Sequence, residues 1–312
     1  MPSLRQLTYL LALHEHGHFG RAAAACYVTQ STLSAGLAEL ERVLGAVLVE
    51  RTKRSVRFTA LGEEVVARAQ DVVRAAEDLY AVAQGAREPL VGPLRLAAIP
   101  TIAPFLLPRM LAEVAVAWPR LKLFVREMLT GPACEALARG AMDCVLLALP
   151  AMCGEVETVE VGTDRLMLAT PVAEGDATVS VEGIDPERLL LLEDGHCLRD
   201  HALAACRLAE PVPDARLVAS TLQTVVQLVD AGLGITLLPE MAVNAGILTG
   251  SRVAGHPIAE ANAERRIALA WRPGHPRAEE FRLLAGLIRR VADGPATAPP
   301  PVPAPGGAGA GG

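Results

Sequence analysis

The chain has 312 residues, a net charge of −6, 51% hydrophobic residues and 3% aromatic residues, enough for two or three domains with cores built from Ala, Val and Leu. No apolar run approaches the ~18 residues of a membrane span, and the N-terminus lacks the basic region of a signal peptide. Six cysteines without a regular framework exclude a secreted disulfide scaffold, so the chain reads as cytoplasmic, where any bridge would be transient.

Leu4, Leu7, Leu10 and Leu11 fall at helical spacing over residues 4–16, and a short helix follows from Phe19 to Tyr27. Thr29 in V-T-Q-S-T-L-S is a fitting N-cap for a third helix that reaches Leu44 and stops at Gly45. Leu48 to Thr59 alternates around the basic turn R-T-K-R-S, as a β-hairpin does. Residues 1–60 therefore read as a winged helix-turn-helix. They hold seven cations (Arg5, Arg21, Arg42, Arg51, Lys53, Arg54, Arg57) against four acids (Glu15, Glu39, Glu41, Glu50), a basic head on an acidic body. Gln30, Ser31, Thr32 and Ser34, with Thr29, are expected to meet double-stranded DNA; Arg51, Lys53 and Arg54 are expected to meet its phosphates.

From Leu61 a long helix runs to about Gly85, with Val65, Ala69, Val72, Ala76, Leu79 and Ala83 in a heptad seam that wants a second copy of the chain. Residues 61–87 are thus a linker and dimerisation helix, and E-P-L-V-G-P marks a hinge. Strands and helices then alternate over residues 88–293, predicting two α/β lobes with a largely parallel sheet and a cleft between them. Residues 294–312 are Pro/Gly/Ala-rich and are expected to be disordered.

Within the second lobe, Cys197 and Cys206 flank a helical stretch, L-R-D-H-A-L-A-A. Nine residues of α-helix give about 13.5 Å of rise and about 900° of rotation, half a turn out of phase. A disulfide needs Cα atoms within roughly 7 Å, so oxidation joins these two sulfurs only if the helix unwinds. Cys197 falls in the first turn, where amide dipoles favour thiolate, and His196 and Arg199 adjoin it as sources of positive charge. The alternative reading makes both thiols small buried hydrophobes, and it suits Cys206 better than Cys197. Cys26 and Cys144 read as packed residues. His14, His16 and His18 straddle a helix end and read as structural; neither a metal nor another cofactor is expected.

The segment from His18 to Arg51, H-F-G-R-A-A-A-A-C-Y-V-T-Q-S-T-L-S onward, resembles the signature of LysR-type transcriptional regulators. L-E-D-G-H-C-L-R-D (192–200) with a second cysteine nine residues on, I-P-T (99–101), D-C-V-L-L-A-L (143–149), G-I-T-L-L-P (234–239) and W-R-P-G (271–274) are similar to the hydrogen-peroxide-sensing OxyR branch. The resemblance implies a linker helix, a two-lobed effector domain of periplasmic-binding-protein type, and a homodimer or homotetramer. It implies that Cys197 meets peroxide and Cys206 resolves it, with Thr101, Thr130 and Arg272 joining His196 and Arg199 around the peroxide. It also implies RNA polymerase and a cellular thiol reductant as partners, oxidative-stress genes as targets, and residence at the nucleoid. Ser31, Gly36 and Glu39 depart from the usual recognition helix, and Cys134 and Cys153 lie outside the pattern, open to side reactions. Two rival functions are a LysR-type regulator with a metabolite in its cleft, and a thiol peroxidase, which would have no use for a DNA-binding head.

Overall fold

The structure is a computed structural model that describes residues 1–51, 56–85, 88–172, 180–181, 184–206, 218–260 and 263–294. Lys53 and Arg54, the side chain of Arg51, that of Ala83 in the seam and nearly all of the C-terminal tail lie outside the described residues.

The head is built from α1 (Leu4–His16), α2 (Phe19–Ala25), α3 (Gln30–Leu44), β1 (Val49–Arg51) and β2 (Val56–Phe58). A capping box of Ser3 and Gln6 opens α1, and Gly17 closes it at φ 59°. Thr29 accepts a hydrogen bond from the Thr32 amide to start α3, and Gly45 ends it at φ 68°. The second helix stops two residues before Tyr27, because Tyr27 takes φ 54° and leaves the helix. Leu10, Leu13, Leu33, Leu37, Leu40 and Leu48 fill the core, and β1 pairs antiparallel with β2.

The long helix α4 (Ala60–Gly85) grows directly out of this core, burying Val66 and Ala69 in it. Thr59 Oγ1 accepts from the Gly62 amide and donates to the Val47 carbonyl. Gly62 lies so close to the wing that a Cβ there would run into the Leu48 carbonyl oxygen. Further along, Val72 and Leu79 of the seam stand exposed. No helix among the described residues is long and apolar enough to cross a membrane.

The effector region begins with β3 (Gly92–Ala98), α5 (Ala103–Ala117), β4 (Leu121–Glu127), α6 (Thr130–Ala138) and β5 (Cys144–Leu149). The long β6 (Glu157–Pro171) carries the chain into the second lobe. There it forms β7 (Leu191–Leu192), α7 (Cys197–Ala205), β8 (Val218–Ala219), α8 (Leu222–Asp230), β9 (Thr236–Pro239), α9 (Glu240–Asn244) and β10 (Val253–Pro257). It returns on β11 (Glu264–Trp271) and ends in α10 (Ala278–Asp293).

The main sheet has the order β10-β6-β11-β5-β3-β4, with β9 also paired to β6. The expectation of a largely parallel sheet is corrected: only β3 pairs in parallel within it, with β4 and with β5, and every pairing of β6 and β11 is antiparallel. The chain leaves the first lobe on β6 and comes back on β11, and neighbouring outward and return strands must run in opposite directions.

Two apolar cores result. The first gathers β3, β5, α5, α6 and α10 around Leu96, Leu146, Trp271 and Phe281. The second gathers β9, α7 and α8 around Leu168, Val226 and Leu238.

Candidate functional site

The helix α7 stands between the two cores and contributes to both. Cys197, its first residue, is buried in the core of the first lobe. Leu198, Ala202 and Ala205 are buried in the core of the second, and Cys206, the residue that caps the helix C-terminus, packs against that same core. The expected helix therefore exists, and its two thiols belong to different hydrophobic environments.

Around Cys197, α6 and β5 supply the near neighbours. The Thr130 hydroxyl, on the first residue of α6, faces the Cys197 sulfur, and the backbone of Ala148 near the end of β5 meets the same sulfur. Burial pushes the Cys197 thiol above its ordinary value, outweighing the Thr130 hydroxyl, the positive charge of Arg265 and the Ala148 backbone, which pull it down. This corrects the expectation of a depressed pKa, since Cys197 is only 7% exposed and desolvation disfavours the thiolate.

His196 is the N-cap of α7 and is buried. Burial lowers its pKa against the pull of Glu193 and the Ser220 backbone, so it stands neutral rather than supplying the expected charge. One turn beyond Cys197, His201 is likewise buried and lowered, first by burial and then by the Arg265 charge. Its Nε2 lies 3.3 Å from the Pro150 carbonyl oxygen and donates to it. Thr130 Oγ1, His196 Nδ1 and His201 Nδ1 are buried and have no hydrogen-bond partner among the described residues. Three buried polar atoms without partners, on residues that adjoin Cys197 along α7 or face it from α6, suit a small ligand that both donates and accepts hydrogen bonds.

The arginine of the site is Arg265. Its side chain is fully buried and pairs with Asp164 through Nε at 3.0 Å and Nη2 at 2.8 Å. Nη1 donates to Thr101 Oγ1 at 2.7 Å and Nη2 to the Thr101 carbonyl at 2.9 Å. Asp164 also accepts from the Met241 amide, so a single network joins the β3–α5 turn, β6, α9 and β11. Thr101 thus enters the site through Arg265.

Arg272 does not join them: its Nη1 donates to the Leu137 and Met142 carbonyls, at the far end of α6 from Thr130. Arg199 also faces elsewhere, donating to the Leu192 carbonyl and pairing with Asp194 at 3.1 Å. Arg265 had a signal in the sequence. It shares strand phase with Ile267, Leu269 and Trp271, all buried, whereas Arg266 lies on the other face with Glu160.

Cys134 and Cys153, left outside the recognised pattern, are joined to each other as a disulfide, 19 residues apart with Cα atoms 5.0 Å apart. Cys144 is fully buried and Cys26 partly buried against the head core. His18 accepts amide hydrogen bonds from Gly20 and Arg21 as the α2 cap, and His14 pairs with Glu63 at 2.9 Å.

In the head, Gln30, Ser31 and Thr32 are exposed at the tip of α3, and Ser34 is half-buried. The Thr29 hydroxyl is engaged by the Thr32 amide and by the hydroxyls of Ser31 and Thr32. Gly36 has a packing reason: a Cβ there would meet the Tyr9 ring at 2.7 Å.

The helix-turn-helix profile of the bacterial lysR family matches residues 4–63, and the LysR substrate binding domain matches residues 87–293. The chain belongs to the LysR family of transcriptional regulators. It is 43% identical to the HTH-type transcriptional regulator EstR of Acinetobacter baylyi, over 93% of this chain and 97% of that protein. It is 38% identical to the hydrogen peroxide-inducible genes activator of Escherichia coli, over 94% and 96% of the two. A full-length OxyR of Pseudomonas aeruginosa bearing a cysteine-to-aspartate substitution superimposes with a TM-score of 0.75 at 33% identity, covering 92% of this chain and 94% of that one.

Proposed function

We propose that this LysR-family regulator senses hydrogen peroxide through a reversible Cys197–Cys206 disulfide and so controls oxidative-stress genes. The observation that carries the reading is the division of α7: one thiol in each core, on a helix that has to come apart before they can meet. The Cys197 thiolate attacks one peroxide oxygen, the O–O bond breaks, and the departing hydroxide takes a proton to become water. The resulting sulfenic acid then loses water to the Cys206 thiol as the S–S bond forms. Thr130 and Arg265 favour the thiolate at that moment, and the unmet atoms of Thr130, His196 and His201 are fit to hold the peroxide. A cellular thiol reductant returns the helix.

The head binds double-stranded DNA through Gln30, Ser31, Thr32 and Ser34, with Arg51, Lys53 and Arg54 on phosphates. Two chains pair along the seam of α4, two pairs form a tetramer, and oxidation changes how the heads are spaced for RNA polymerase in the cytoplasm, at the nucleoid. A cleft-bound metabolite is the rival reading, because the EstR relative carries a name that specifies no peroxide.

Peptide mapping of the full chain after about one equivalent of peroxide separates the two. The expected product is a peptide linking Cys197 to Cys206, absent in Cys197→Ser. Loss of neither thiol would leave the metabolite reading in possession.

A further inference from the structure

Two of the groups that act on the Cys197 thiol come from separate elements, the Thr130 hydroxyl from α6 and the Ala148 backbone from β5. Cys134 lies four residues after Thr130, so both occupy one face of α6. Cys153 lies in the segment 150–156 that follows β5, three residues beyond the Pro150 carbonyl that receives His201 of α7. The Cys134–Cys153 bond therefore ties together the two walls of the Cys197 site. Its sulfurs are unequal in access: Cys134 is buried, whereas Cys153 is half-buried beside the fully exposed Met152.

We propose that Cys134 and Cys153 form a second thiol–disulfide site, chemically separate from Cys197 and Cys206, whose bonded state holds Thr130 and Ala148 in place around the reacting sulfur. The co-reactants are dithiols and hydrogen peroxide. A dithiol attacks Cys153 Sγ through one thiolate; the S–S bond breaks and Cys134 leaves as thiolate and takes a proton. The second thiol of the reductant then displaces Cys153, so two protein thiols form as the dithiol becomes a disulfide. In reverse, Cys153 thiolate attacks peroxide, giving a sulfenic acid and, after protonation of hydroxide, water; Cys134 then displaces a second water as the bond forms. The regulator is thereby set in advance: with the clamp closed the Cys197 site is shaped for reaction, and with it open α6 and the 150–156 segment are free of each other.

The claim about Cys197 rests on the peroxide reading above, and the test keeps the two apart. In a full chain carrying Cys197→Ser and Cys206→Ser, alkylation and mapping should show a peptide joining Cys134 to Cys153 that dithiothreitol opens and peroxide restores. Two alkylated thiols after peroxide would overturn the proposal. In chains with Cys197 and Cys206 intact, replacing Cys134 and Cys153 by Ser, and separately by Ala, should slow peroxide oxidation of Cys197 by roughly fivefold or more, as displaced reacting groups do. The wild-type chain with that bond selectively reduced should match them without any substitution. A rate equal to wild type in all three would overturn the clamp. If Cys197 ignores peroxide in every form while the 134–153 peptide still opens and closes, the peroxide reading fails, and with it the coupling, but the second redox site stands.

Discussion

His275 packs against Phe281 with ring centroids 4.8 Å apart and accepts a hydrogen bond from the Arg277 amide. Burial first, then the charges of Arg272, Arg277 and Arg74, push its pKa down to about 4. The unfolded chain takes up a proton at about pH 6.5 that the folded chain refuses. Stability is therefore full above that pH and declines as pH falls toward 4, by about 2 kcal/mol between pH 7 and pH 5 from this residue. The lowered pKa values of His196 and His201 act in the same direction. Urea denaturation at the two pH values should show the loss, and His275→Gln should shrink it; an equal loss in both chains would show that His275 is not its source. Arg265 and Asp164 present the opposite case, a charged pair kept in a dry place by mutual contact. Removing one partner would strand the other, which typically costs about 3–5 kcal/mol.

At the scale of elements, the joint between head and linker is tight. Thr59 bonds to both sides of it, and Gly62 abuts the Leu48 carbonyl with no room for a side chain. Gly62→Ala should destabilise the head by about 1–3 kcal/mol, as overpacking does, despite the better helix propensity of Ala; a melting temperature at or above wild type would contradict this. The third head helix was legible because its boundaries are written in local chemistry: Thr29 as a cap and Gly45 in left-handed backbone. The helix between Cys197 and Cys206 was legible for a similar reason, its apolar residues recurring at helical spacing. What escaped is long-range. Nothing local says that β11 returns antiparallel beside β6, that Arg265 rather than Arg272 reaches Thr101, or that Cys134 finds Cys153 across the fold. Burial of Cys197 escaped too, because a helix start predicts a favourable dipole but not what packs over it.

For the whole molecule, Val72 and Leu79 are apolar, exposed and seven residues apart on a helix with little core of its own beyond the head. Val72→Glu with Leu79→Glu should convert the proposed dimer to monomer in sedimentation at micromolar concentration and weaken operator binding at least tenfold; an unchanged sedimentation coefficient would place the interface elsewhere. Arg74, on the same helix, donates to the Ala138 carbonyl at 3.3 Å, and Arg272 holds the adjoining Leu137 carbonyl. The outer end of α6 is thereby in touch with the linker, while its inner end carries Thr130.

The strand β6 is a single fifteen-residue ladder rung shared by both lobes, paired with β11 on the way out and with β9 and β10 beyond. A plank nailed to both halves of a box keeps its lid from swinging. Clamshell closure, the ordinary response of two lobes to a guest in the gap, would have to bend this plank and strain the bonds that Arg265 makes to Thr101 and Asp164 to Met241. The compliant part is α7, which no such plank braces. Under the proposed disulfide reading, news of an oxidant therefore starts as local melting of α7 rather than as a swing of one lobe on the other.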